Sequence, residues 1–231
     1  PRPPQERARI ARRAPDLPPA ARDPTFWTAW LAREWDAAEP LSEKPAASVR
    51  ALPAPPKIRE AAPGATDLVA KVEPLDSPRR TLQALARTTP LERHWRGALA
   101  LHHAGIRTAR PLALLRGTTH EPTPRRVECL VMEHLPGQTL LAHLAASAPD
   151  ARGHADPPSR DQRARLARAV ARLVFRLHAR GLVNRDPKPS NLVVLDPSAP
   201  SPEIAVIDAS ACAVLALGSD PLARGSPGSR A

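Results

Sequence analysis

The segment from Ser159 to Asp208 constrains the fold more than any other part of the chain. Ser159 and Gln162 form a capping-box pattern that starts a helix, and Leu166, Val170, Leu173, Val174 and Leu177 then recur on one helical face. Gly181 supplies the stop. A loop over 184–190 follows, then a strand over Asn191–Leu195, a Pro/Ser turn over 196–202 and a strand over Glu203–Ile207. The loop therefore presents Asp186, Lys188 and Asn191 at offsets zero, two and five, and the second strand ends in Asp208.

Phosphoryl transfer needs this set of groups. A carboxylate must orient the attacking hydroxyl and accept its proton, a cation must offset charge on the γ-phosphate, and hard oxygen ligands must hold Mg²⁺. Asp-x-Lys-x-x-Asn followed by a strand ending in Asp supplies all four positions. Taken singly, each has an ordinary structural reading as a turn residue, a cap or a solvated charge. Their joint spacing after a capped amphipathic helix is what carries the inference.

On these residues the chain resembles the protein-kinase-like superfamily. Asn184-Arg185-Asp186-Pro187-Lys188-Pro189-Ser190-Asn191 is similar to the catalytic-loop pattern H-R-D-x-K-x-x-N, with Asn for the first His. Asp208-Ala209-Ser210 keeps the Asp of the metal-binding D-F-G position. Val69-Ala70-Lys71-Val72 resembles the strand whose lysine holds the α- and β-phosphates, and Val131–Gly137 resembles the hinge, where backbone groups of Glu133 and Leu135 would meet adenine. Within the superfamily, residues 95–114 are similar to bacterial lipopolysaccharide core (Kdo/heptose) kinases. The resemblance spans roughly residues 65–210. It implies ATP and Mg²⁺ as cofactors, Asp186 and Lys188 as catalytic residues, Lys71, Glu133, Leu135, Asn191 and Asp208 as nucleotide-binding residues, and Asn191 and Asp208 as metal ligands. Arg185 is expected to tie the loop down electrostatically.

Three features depart from the family pattern. No glycine-rich loop precedes Lys71, since Gly64 stands alone, so the phosphate cover must be improvised or absent. His94 occupies the position of the helix glutamate that would pair with Lys71, and a histidine cannot replace a carboxylate there. Glu92 lies two residues earlier, about 200° around the helix, where it completes a capping box with Thr89. Only 23 residues follow Asp208, which argues against a protein substrate and leaves a minimal lower lobe or a fragment as the choices.

Upstream, residues 1–22 are Pro/Arg/Ala-rich and read as disordered. Asp23-Pro24 opens a helix to about Asp36 that places Trp27, Trp30, Leu31 and Trp35 on one side, either against the folded domain or at a membrane surface. Residues 37–66 show little periodicity apart from a short strand near Val49–Leu52. Strands follow at Asp67–Val72, Pro111–Leu115 and Val127–Glu133, with helices from Thr89-Pro90 to Ala104 and over 139–146. Residues 147–158 read as a loop and the last stretch as a frayed tail.

The expected architecture is α+β and two-lobed. A Pro/Arg-rich N-terminal region with the Trp helix (1–47) precedes a small β-rich lobe (48–133), a short, mainly helical lobe (134–217) and a flexible tail (218–231). A net charge of +11 favours polyanions, among them nucleotide phosphates, an anionic membrane face and nucleic acid. The arginines are scattered, so charge alone selects no partner, and nucleic acid is not the favoured one. Cys129 and Cys212 lie in apolar runs and read as free thiols of a reducing compartment. No apolar run approaches a membrane span and no secretory signal is visible, so the expected location is cytoplasmic, peripheral at the inner membrane. The favoured function is phosphorylation of a hydroxyl-bearing acceptor, a lipopolysaccharide inner-core sugar. The alternatives are a nucleotide-binding scaffold without transfer, or a kinase for another small molecule or a protein.

Overall fold

A computed structural model of the chain describes residues 1–44, 47–61, 66–119, 123–146 and 159–214. Gly64, the loop at 147–158 and the tail at 218–231 lie outside these residues. Strand β1 (Glu6–Arg13) leads to helix α1 (Pro24–Glu34), strands β2 (Glu39–Lys44) and β3 (Ala47–Pro53), helix α2 (Pro56–Ala61) and strand β4 (Asp67–Pro74). Helices α3 (Pro78–Leu85) and α4 (Pro90–His103) precede β5 (Pro111–Thr118) and β6 (Arg126–Glu133). Strand β7 (Gln138–Thr139) and helices α5 (Leu140–Ala146) and α6 (Arg160–Ala179) follow. The short strands β8 (Leu182–Asn184), β9 (Leu192–Val194), β10 (Ile204–Val206) and β11 (Cys212–Val214) complete the described chain.

The first six strands form one antiparallel sheet in the order β1-β5-β6-β4-β3-β2. Strand periodicity divides its two faces. On β4, Leu68, Ala70 and Val72 are buried in the core that includes α1, so Val69, Lys71 and Glu73 point to the opposite side. On α1, the Asp23 carboxylate accepts the Thr25 N–H, Pro24 occupies the first turn, and Trp27, Trp30, Leu31 and Trp35 are buried. Trp27 Nε1 donates to Ala21 O at 2.8 Å and Trp30 Nε1 to Pro53 O at 3.1 Å. Of the two sequence readings of this helix, the structure shows internal packing, and its tryptophan face is not available to a membrane.

Residues 1–22 are not disordered, which corrects the sequence expectation. Strand β1 pairs along β5, with Ile10 opposite Leu115 and Arg13 opposite Ala113, while Ala14, Leu17 and Ala21 join the core beside α1. An edge strand needs a backbone partner more than an apolar face, so its arginines gave no alternating signal. The sheet thus draws β1 and β2 from upstream of residue 48.

Helix α4 joins the sheet to the second half of the chain. Leu91 and Trp95 pack with Leu114, Leu130 and Met132 of the sheet, while Ala98 and Leu101 pack with Leu173 and Leu177 of α6 and Val206 of β10. A Cβ on Gly97 would lie 2.0 Å from Ala209 O, so the missing side chain is what lets α4 press against the turn after Asp208. On α6, the Ser159 hydroxyl accepts the Gln162 N–H as expected, and Leu166, Leu173 and Leu177 are buried. Val174 is not on that face; it is 38% exposed beside Phe175. Cys129 is buried and Cys212 half-buried, both as free thiols.

Candidate active site

The loop after β8 is held by its own polar residues. Asn184 Oδ1 accepts the Asp186 N–H at 3.0 Å, and the Arg185 N–H donates to Ala211 O on the neighbouring chain segment. Asn191 Nδ2 donates to both the backbone O and the Oδ2 of Asp186, at 3.1 and 2.9 Å, and Lys188 Nζ donates to the same Oδ2 at 2.8 Å. One oxygen of Asp186 is therefore fixed twice over, while Oδ1 has no partner among the described residues. The Asp186 contact raises the pKa of Lys188. Arg185 differs from expectation: it is exposed, and among the described residues its guanidinium makes no ion pair.

A cleft of about 660 Å³ lies beside this loop, lined by Lys71 and Glu73 of β4, Glu133 and Leu135 after β6, and Lys188, Asn191 and Asp208. Of the expected site residues, only Asp186 is not in the wall; it is attached through Asn191 and Lys188 and is 45% exposed. Lys71 Nζ lies 3.8 Å from Asp208 Oδ2 and 3.8 Å from Glu73 Oε1. Ser210 N–H donates to Asp208 Oδ1 at 3.0 Å. Burial pushes the Asp208 carboxyl up, but Lys71, His94 and the Ser210 contacts outweigh it and leave its pKa at about 2, so it is an anion at neutral pH.

His94 stands behind Asp208, with Nδ1 3.6 Å from Asp208 Oδ1, too long for a hydrogen bond. Neither ring nitrogen has a hydrogen-bond partner among the described residues. Burial first, and then the Lys71 charge, hold its pKa down at about 4 against the pull of Asp208. An unfolded histidine binds its proton near pH 6.5, while this one stays neutral until about pH 4. The unfolded state thus carries the extra proton between those values, and stability falls as pH falls through that window. The loss expected across it is about 3 kcal/mol, read by urea unfolding of the metal-free protein at several pH values. His94→Leu should flatten that slope; parallel slopes in the two proteins would show that another group causes the loss.

Glu92 turns away from the cleft into a separate buried cluster. It accepts from Arg116 at 3.0 Å and from Arg12 at 3.3 Å, and Arg116 also donates to Glu128 at 2.6 Å. Thr89 Oγ1 accepts the Glu92 N–H and donates to Glu128, so half of the expected capping box forms while the glutamate side chain serves the cluster. Burial raises the Glu128 pKa, opposed by Thr89 and Arg116.

Sequence reasoning missed two parts of the site. Glu73 shares a strand face with Lys71, a spacing of two that could have flagged it. The cover over the cleft comes from the β2–β3 pair, where Ser42 faces Val49 and Lys44 faces Ala47, and Leu41, Ser42, Ala47 and Val49 line the space. No glycine marks this cover, so its sequence gave no phosphate-loop signal. At the opposite wall, the Glu133 N–H donates to Arg110 O and the His134 N–H to Asp67 O. The Leu135 N–H has no partner among the described residues.

The lipopolysaccharide kinase (Kdo/WaaP) family matches residues 79–214, more than half of the chain, which includes Asp186, Lys188, Asn191 and Asp208 and leaves Lys71 outside. No curated protein matches the sequence. Among solved structures, the BubR1 kinase domain superposes with a TM-score of 0.53 at 14% identity, covering 79% of this chain and 48% of that one. The chain thus spans about half the length of that domain. A structure of WaaP in complex with acyl carrier protein matches with a TM-score of 0.42 at 21% identity, over 82% of this chain and 70% of that one. The fold is kinase-like, α+β, with a sheet-rich N-terminal half.

Proposed function

The chain belongs to the lipopolysaccharide kinase (Kdo/WaaP) family, and from that premise we propose that it transfers the γ-phosphate of Mg²⁺-ATP to a hydroxyl of a lipopolysaccharide inner-core sugar. The observation that carries the reading is the convergence of Lys71, Asn191 and Asp208 on one cleft, with Asp186 tied to Asn191 and Lys188 of its wall.

The residues present fit the nucleotide and its metal. Asp208 is anionic at neutral pH, and no cluster of three or more His, Cys, Asp or Glu among the described residues could hold a metal ion. Asp208 and Asn191 would thus need phosphate oxygens to complete the shell, as Mg²⁺ normally arranges. Lys71 would meet the α- and β-phosphates, and the Leu135 N–H, which has no partner among the described residues, and the Glu133 backbone would meet adenine. Mg²⁺-ATP supplies the electrophilic phosphoryl group when bound. Asp186 orients the acceptor hydroxyl at its open Oδ1 and takes the proton, while Asn191 and Lys188 hold the other oxygen still. Lys188 lies beside that base, where its charge offsets the charge on the transferring group.

A +11 chain suits an anionic, membrane-associated acceptor, and no described helix is long and apolar enough to cross a membrane. Work at the cytoplasmic face of the inner membrane follows as part of the proposal. His94 in place of the helix glutamate favours a second reading, a nucleotide-binding module without transfer.

Millimolar Mg²⁺-ATP is expected to raise the melting temperature by on the order of 5 °C, because a ligand that binds only the native state stabilises it. Asp208→Ala should abolish the magnesium-dependent part of that shift. A wild-type melt indifferent to Mg²⁺-ATP would remove the nucleotide from this site.

A further inference from the structure

Lys71 lacks the helix-borne carboxylate that would hold it. Position 94 is a buried histidine, and Glu92 is committed to Arg116 and Arg12. Yet Lys71 is not without a carboxylate. Glu73 lies two residues along the same strand, on the same face, with Oε1 3.8 Å from Lys71 Nζ. Its other oxygen is 3.5 Å from Arg80 Nη1 on α3, which starts directly after β4. The Glu73 side chain is only 10% exposed, and both it and Lys71 line the cleft. Arg80, Glu73, Lys71 and Asp208 thus form one row of alternating charge, ending at His94.

We infer that Glu73 is the carboxylate that positions Lys71 for the nucleotide phosphates, so that the lysine is held from its own strand and without help from α4. The inference rests on the proposed nucleotide site. It has a regulatory consequence. Where the partner glutamate rides on a helix, a shift of that helix makes or breaks the ion pair, and kinases use this as a switch. Two side chains on one face of one strand move together, so here a displacement of α4 leaves the pair intact. A histidine at position 94 fits this arrangement, since a carboxylate there, beside Asp208, would compete with Glu73 for Lys71.

The test is a double-mutant cycle on the full chain, reading Mg²⁺-ATP affinity by calorimetry with the apo melt as the control for folding. Glu73→Gln keeps the shape and removes the charge, and is expected to weaken Mg²⁺-ATP binding on the order of tenfold. In a Lys71→Met background the same change should cost less than about twofold, because its route through the lysine is gone. Equal affinity of wild type and Glu73→Gln would overturn the inference, as would the same loss in both backgrounds, which marks a merely structural role. If Glu73→Gln has no cooperative melt, Glu73→Asp takes its place in the cycle, and its smaller loss must again vanish with Lys71→Met. A wild type that binds no Mg²⁺-ATP is a different failure, since it removes the nucleotide site itself and the role of Glu73 with it.

Discussion

Asp186→Asn is expected to slow phosphoryl transfer by about 10²- to 10⁴-fold, the usual contribution of a positioned general base. The asparagine oxygen can still accept from Asn191 and Lys188, so the loop should keep its shape. What is lost is the ability to take the acceptor's proton and the negative charge that offsets Lys188. Asp208 and Lys71 are untouched, so Mg²⁺-ATP affinity should stay within a few-fold of wild type. A fall in turnover at unchanged nucleotide affinity marks a group that acts only in the transition state. Equal turnover of the two proteins would show that Asp186 is not the base. A matching loss of nucleotide binding would assign it instead to the scaffold of the cleft.

The second large effect is on stability. Trp27→Ala should destabilise the protein by about 3–5 kcal/mol, the cost of deleting a large aromatic from a packed core. Trp27 is fully buried, stacks edge-on with Trp30 at 5.8 Å, and donates its indole N–H to Ala21 O. Its removal opens a cavity and strands that carbonyl. Urea unfolding measures the change; a loss below about 1 kcal/mol would mean that α1 packs far more loosely than described. Deleting residues 1–36 would remove α1 together with edge strand β1, so such a truncation reads folding and not membrane contact.

Much of the site was legible because its signals are local. Ser159 with Gln162, the leucines at helical spacing, Gly181 and the Asp-x-Lys-x-x-Asn loop are all set by nearby residues, and Asp186, Lys188, Asn191, Lys71 and Asp208 fall around one cleft. The hidden parts depend on distant partners. Strand β1 exists because β5 offers it a backbone ladder, which nothing in an arginine-rich stretch announces. The β2–β3 cover is built without glycine, so the cleft could be read only as lacking one. Glu92 sat at the right spacing for a cap, but its side chain went to Arg116, which lies 24 residues away and across the sheet. The absent helix glutamate read as a lost ion pair, because the sequence pattern of a helix says nothing of a carboxylate two residues along the lysine's own strand.

Transfer of labelled γ-phosphate from Mg²⁺-ATP to purified lipopolysaccharide, by wild type and Asp208→Ala, tests the proposed phosphotransferase most directly. Label in the inner-core sugar with the wild type, and none with Asp208→Ala, is the expected result. A wild type that binds Mg²⁺-ATP yet labels no lipopolysaccharide above the Asp208→Ala background would contradict it.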